Sequence, residues 1–118
     1  MLSRRSMLGG ILFALLAVLM IAPGAHAQSS STWTIKGVVI DSSNQQPVSG
    51  AIVYLKNTQT ESILTYITGK DGSFVFSYAP ANVDYSIWAV HNGKKGDERS
   101  ISSFNTRPVV YINLRVKS

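Results

Sequence analysis

Chemistry in this 118-residue chain has few groups to start from, since it holds no cysteine and only two histidines. One of these, His26, belongs to an N-terminal segment treated below, which leaves His91 for the rest. General acid–base and nucleophilic catalysis need groups brought within hydrogen-bond reach, most often around a histidine. His91 ends an apolar run and precedes a glycine-containing loop, so it reads as a polar strand end rather than a base. A zinc site would be built mostly from carboxylates, an unusual donor set. Six of the charges, Asp41, Lys70, Asp71, Lys94, Lys95 and Asp97, fall where apolar runs stop. If successive strands alternate in direction, the loops after the first, third and fifth strands meet at one end and gather these residues with His91. Loops on a rigid scaffold commonly carry binding, so a ligand or calcium site is conceivable there. The plainer reading is that Asp71 serves its own hairpin and the other charges keep loop tips soluble. The residues therefore predict no catalytic group, no metal ligand and no cofactor.

The elements that carry these groups are short strands. From Thr32 onward apolar residues recur with a period near two, the mark of half-buried strands, and no stretch shows helical spacing. The pattern predicts strands over 32–41, 50–57, 61–68, 73–79, 84–91, 98–104 and 107–116. Seven strands in under ninety residues point to an all-β sandwich. The connections agree: residues 41–47 and 92–97 are polar and rich in turn formers, and Lys70-Asp71-Gly72 is a tight hairpin signal. Pro80 and Pro108 stand at strand boundaries, where a missing amide donor does no harm.

The N-terminus predicts export. Arg4 and Arg5 precede about 16 uninterrupted apolar residues at 7–22, then Pro23-Gly24 and an Ala25-His26-Ala27 site. This is the form of a secretory signal peptide occupying residues 1–27, helical in its apolar part, with cleavage between Ala27 and Gln28. As a transmembrane anchor the run is shorter than the ~20 residues a span requires, and no basic stop-transfer cluster follows. The Arg4-Arg5 pair also resembles a twin-arginine export signal. The strong apolarity of the run and the lack of a basic residue before the cleavage site favour the general secretory route. Either route places the product in the periplasm or outside the cell.

Cleavage would leave residues 28–118, a disordered polar tail at 28–31 and one domain at 32–118. A domain of that size lies near the lower limit for a self-sufficient core. Small exported domains often lean on disulfides, and here packing alone must serve. Without Arg4 and Arg5 the 11 Lys and Arg fall to 9 against 6 acids, a charge of about +3 in place of +5. That mild balance carries no nucleic-acid signature.

Three ordered patterns make the architecture specific. They are Ile35-x-Gly37-x-Val39-x-Asp41, then Pro47-x-x-Gly50-Ala51-x-Val53-x-Leu55, then Thr68-x-x-Asp71-Gly72-x-Phe74-x-Phe76, followed by Tyr85-x-Ile87-x-Ala89. Together they resemble the carboxypeptidase regulatory-like domain over most of residues 33–116. The resemblance implies a transthyretin-like (prealbumin-like) fold, a seven-stranded antiparallel Greek-key sandwich. It also implies a non-catalytic module of the kind usually attached to peptidases, outer-membrane receptors or surface proteins.

Two relatives of that fold do carry chemistry. The transthyretin-like enzymes that hydrolyse hydroxyisourate use several histidines and arginines and a Tyr-Arg-Gly-Ser-type tail. This chain lacks those histidines and ends Arg115-Val116-Lys117-Ser118. The collagen-adhesin B-type repeat forms a Lys–Asn isopeptide bond helped by a buried acid, its lysine standing where this chain has Val39. Lys36, Glu61 and Asn113 are formally available, but strand parity turns Lys36 away from the face of Val39.

Parity also exposes an anomaly. If Ala51, Val53 and Leu55, with Tyr85, Ile87 and Ala89, face inward, then Ile52, Tyr54, Trp88 and Val90 face outward, where polar residues belong. In a transthyretin-type arrangement the second and fifth strands are neighbours, so these four would form one apolar patch. Such patches often mark partner surfaces, and aromatic residues are enriched there. The alternatives are a covering tail or loop, or a reversed facing. The expected function is thus an exported, non-enzymatic module with a protein-binding or structural role in the envelope or outside the cell. A second reading is carbohydrate binding, with Trp33, Trp88 and Tyr54 stacking on a polysaccharide. A third is a small hydrolase, which would need a cleft with converging polar groups. Nucleic acid and a lasting membrane span are not expected.

Overall fold

The computed structural model describes residues 31–117. The proposed signal peptide, its helix, the Ala27–Gln28 cleavage point and the first part of the polar tail lie outside the described residues. Ser31 is already joined to the fold, its carbonyl accepting a hydrogen bond from the Ala81 amide at 3.1 Å.

The alternation of apolar residues becomes nine strand segments and no helix among the described residues. They are β1 (Thr32–Asp41), β2 (Ile52–Asn57), β3 (Ile63–Ile67), β4 (Ser73–Pro80), β5 (Tyr85–His91), β6 (Lys94–Lys95), β7 (Arg99–Ile101), β8 (Val109–Tyr111) and β9 (Leu114–Val116). One sheet is ordered β4-β1, with β8 and β9 along the far side of β1. The other is ordered β3-β2-β5, with β6 and β7 along the far side of β5. β1 to β5, β7, and β8 with β9 fall within or overlap the seven expected strands, while β6 falls in the 92–97 segment expected as a connection. The sixth is shortened to Arg99–Ile101 and the seventh is interrupted between Tyr111 and Leu114.

The all-β sandwich has one departure from a purely antiparallel arrangement. β1 pairs antiparallel with β4 but parallel with β8 and β9. The reason lies in the connection: after β7 the chain leaves the second sheet and crosses to the first, so it arrives running the same way as β1. The crossover is pinned where the Ser103 amide donates to Asp84 at 2.6 Å and the Thr34 amide donates to Pro108 at 2.8 Å. Its passage turns residues 102–104, expected at the end of a strand, into a turn closed by Asn105 N–H to the Ser102 carbonyl.

The core is what the alternation prescribes. Trp33, Ile35 and Val39 of β1, Phe74 and Phe76 of β4, and Leu114 and Val116 of β9 face Val53 and Leu55 of β2 and Tyr85, Ile87 and Ala89 of β5. The turn into β4 closes one end of this core. Gly72 takes φ +74°, and a Cβ there would lie 2.8 Å from the Val39 carbonyl, so the hairpin into β4 needs glycine on both counts. Beside it the Asp71 carboxylate accepts from Ser73 Oγ at 2.6 Å and from the Ser73 amide at 3.1 Å.

The segment expected as an open loop at 92–97 is more ordered. Asn92 (φ 53°) and Gly93 form a two-residue turn that pairs β6 with the end of β5. Asn-Gly is a hairpin signal in its own right, because both central residues of such a turn need positive φ.

Candidate functional site

The outward-facing set is built by the register of β2 on β5. Ile52 lies opposite Val90 and Tyr54 opposite Trp88, while their neighbours Val53 and Leu55 oppose Ala89 and Ile87 on the buried side. Side chains directly opposite one another share a face, so Ile52, Tyr54, Trp88 and Val90 stand together on the outer surface of the second sheet, each partly exposed. The facing deduced from parity is the facing of the structure.

The aromatic pair has a defined geometry. The Tyr54 and Trp88 rings stack with centroids 5.4 Å apart and planes 9° from parallel. On the strand beyond, the Lys95 ammonium lies 4.7 Å from the Trp88 ring centroid. Tyr54 and Lys95 come from strands on opposite sides of β5, so the indole lies between the phenol ring and the ammonium. Lys95 is itself paired to Glu98 at 2.8 Å. The hydrogen bond from Lys95, with a second from Ser86, holds the Glu98 carboxyl below the usual glutamate range.

The patch runs further than the four residues. β3 pairs on β2 with Ile67 opposite Ile52, Thr65 opposite Tyr54 and Ile63 opposite Lys56. Ile63 and Ile67 therefore extend the apolar face to the sheet edge, and Ile67 is 67% exposed. Carrying the parity argument into residues 63–67 would have found them. At the corner Lys56 pairs with Glu61 at 3.0 Å.

The other sequence candidates part company. Trp33 is 5% exposed and packs against Tyr85 in the core, so it cannot offer a ring to a sugar. That removes one of the three aromatics of the carbohydrate reading. Glu61 belongs to the second sheet beside Lys56, whereas Lys36 lies over the Tyr111 ring on the outer face of the first. Asn113 accepts a hydrogen bond from the Val38 amide at 3.3 Å. The lysine, acid and asparagine of a self-crosslink are thus not assembled.

At the loop end, Lys94, Lys95 and Asp97 join Ser42, Arg115 and Lys117 around a depression of about 420 Å³. Lys70 and Asp71 are not part of it. Asp41 is buried and accepts from the Ser43 amide and hydroxyl, serving its own turn. His91 pairs across the hairpin with Lys94, and its Nδ1 is buried without a hydrogen-bond partner. Among the described residues no three His, Asp or Glu side chains come together as a metal-binding group.

With this geometry in hand, comparison with known proteins is informative. The family model for the carboxypeptidase regulatory-like domain matches residues 34–116. No curated protein matches the sequence. Among solved structures the fold is similar to that of BcpA, the major pilin subunit of Bacillus cereus, with a TM-score of 0.57 at 20% identity, covering 74% of this chain and 30% of the pilin. It is similar also to the pilus 2b backbone protein of group B streptococcus, at TM-score 0.52 and 18% identity, covering 73% and 40% of the two chains. A third likeness is to the dioxygenase domain of a dioxygenase and carbohydrate-binding protein fusion from the cellulolytic bacterium Streptomyces sp. SirexAA-E. Here the TM-score is 0.56 at 13% identity, covering 75% of this chain and 81% of that one. The chain spans under half the length of the two pilus proteins. At these identities the likeness is one of fold, and a fold shared by pilus subunits and a dioxygenase does not assign chemistry.

Proposed function

Because the chain belongs to the carboxypeptidase regulatory-like domain family, we propose that it is an exported, non-catalytic module that binds a protein partner through the outer face of β2 and β5. The observation that carries this reading is the continuous patch of Ile52, Tyr54, Trp88 and Val90, lengthened by Ile67, on a face where a solvated sheet would be polar. The carboxylates of Asp41 and Asp71 accept hydrogen bonds within their own turns, and among the described residues no three His, Asp or Glu side chains come together as a metal-binding group. The N-terminal segment supports export to the periplasm or beyond, where an envelope or secreted protein would be the partner.

A second reading, polysaccharide binding, keeps Tyr54 and Trp88 but asks them to present ring faces. In the stack the Trp88 ring is already engaged by Tyr54 and by Lys95, which favours a protein. A photoreactive residue in place of Val90, introduced in the producing cells, should give one discrete protein adduct that Trp88→Ala abolishes. Absence of any adduct, together with co-sedimentation on insoluble polysaccharide that Trp88→Ala removes, would overturn the reading.

A further inference from the structure

The edge of the second sheet has an unusual strand. β3, Ile63-Leu64-Thr65-Tyr66-Ile67, is exposed along its whole length, with Ile63 49%, Leu64 51%, Tyr66 37% and Ile67 67% accessible. It pairs with β2 on one side, and no described strand pairs with the other. Edge strands are normally protected from pairing with another chain by charge, proline, a bulge or brevity.

The remaining edges follow that rule. β4 carries a register shift opposite Trp33 and Ile35, with Tyr78 at φ 63°, and ends at Pro80. β6 and β7 are two and three residues long and bear Lys94, Lys95 and Arg99. β8 and β9 are three residues each, behind Pro108 and bearing Arg115. β3 has no such device.

The hydrogen-bond register tells which backbone groups are open. The Asn57 amide donates to Ser62 and the Thr68 amide to Ala51, each at 2.9 Å. Pairs alternate in an antiparallel ladder, so Leu64 and Tyr66 turn their backbone toward β2. Ile63, Thr65 and Ile67 turn theirs outward.

We infer that β3 is a self-association edge, pairing antiparallel with β3 of a second copy about Thr65. Three features select a second copy over an unrelated extended peptide. The strand is symmetric in kind about Thr65: self-pairing sets Ile63 against Ile67 of the other copy, Leu64 against Tyr66 and Thr65 against Thr65. The open backbone groups fall at 63, 65 and 67, which is the set that a two-fold axis through Thr65 maps onto itself. The strand is also bounded by an acid at one end, Glu61, and a base at the other, Lys70. Antiparallel pairing brings the acidic end of each copy beside the basic end of its partner, at both ends of the ladder. The two second sheets would then form one continuous sheet, with the apolar outer face running across both copies. This inference does not depend on what binds that face.

One strand per copy makes an interface at or below the small end of the usual range, about 1,200 Å², so the dimer should be reversible and concentration-dependent. Sedimentation equilibrium of the purified protein from about 1 μM to about 1 mM, a range set by weak-affinity arithmetic, should show a monomer–dimer equilibrium. Ile67→Lys should shift it to monomer with the far-ultraviolet circular dichroism unchanged. Since the chain has no cysteine, Thr65→Cys gives a single thiol on the proposed axis. The paired Cα spacing of about 5.5 Å lies within the disulfide range, so oxidation should yield a covalent dimer, whereas Ile63→Cys should not cross-link. A monomer throughout the concentration range would overturn the inference. So would a dimer that survives Ile67→Lys and is not trapped by Thr65→Cys. Loss of partner adducts at Val90 leaves these readouts untouched, so the two ideas fail separately.

Discussion

The carbonyl oxygen of Ile112 stands 1.7 Å from the point where a Cβ on Gly37 would lie. At the same place the Ile112 amide donates to the Lys36 carbonyl at 2.9 Å, so the chain between β8 and β9 crosses β1 at backbone distance. The glycine of the first motif is therefore a contact requirement between the two ends of the domain. Gly37→Ala should lose stability at or beyond the upper end of the roughly 1–3 kcal/mol typical of overpacking, since the obstacle is backbone and cannot rotate away. Urea unfolding would read it as a lower midpoint with an unchanged slope. A midpoint equal to wild type would mean the two segments can separate freely.

Thr68 is the second motif residue with a load to carry. Its buried hydroxyl donates to the Val48 carbonyl at 2.7 Å and accepts from the Ala51 amide at 2.9 Å, tying the turn before β2 to the end of β3. Thr68→Val keeps the shape and strands both backbone partners, at a cost of about 1–3 kcal/mol for a buried group left unpaired. For a domain of this size thermal unfolding should move down by roughly 4–8 °C per kcal/mol. Thr68→Ser should recover most of it.

These two residues also show how far the sequence could be read. That Gly37 and Thr68 belong to a sandwich was legible from strand period and turn residues, and the same period placed Ile52, Tyr54, Trp88 and Val90 on one outer face. What they touch was not legible, because both contacts are long-range: Ile112 and Val48 are named by the path of the chain, not by local pattern. The parallel pairing of β1 with β8 and β9 escaped for the same reason, since alternation fixes which way a side chain faces and not which neighbour a strand takes. Trp33 illustrates the converse. Composition counted it with Trp88 as an aromatic that could meet a sugar, whereas its place on the parity of Ile35 and Val39 sends it into the core.

Tyr85 gives the fold a defined response to alkali. Its ring is buried and its hydroxyl donates to the Pro80 carbonyl. Burial disfavours the phenolate, so the pKa is raised above the ordinary value of 10.0. The folded state then holds its proton more tightly than the unfolded state, and the stability from this group is fully present below pH 10.0. It is lost progressively as pH rises above that value through the raised folded pKa. Denaturation midpoints measured from neutral to strongly alkaline pH should fall there, and Tyr85→Phe should flatten the fall while lowering the neutral-pH midpoint. A Phe variant with the same alkaline slope would assign the response to other groups.

The two tryptophans should separate by what their loss damages. Trp33→Ala removes a core ring and should cost about 3–5 kcal/mol, enough to threaten folding in a domain this small. Trp88 stands half outside, gripped by Tyr54 on one side and Lys95 on the other. Aromatic stacking is worth about 0.5–1.5 kcal/mol and an exposed cation–π contact about 0.5–1 kcal/mol, so Trp88→Ala should cost only a few kcal/mol at most and leave the domain folded. Lys95→Ala removes the cation and its link to Glu98, and should cost less still. The pairing of denaturation with cross-linking at Val90 is therefore decisive. A Trp88 variant that stays folded and loses its adduct places the indole in recognition. One that unfolds like the Trp33 variant shows that the outer face is held for stability, and the case for a partner there is gone.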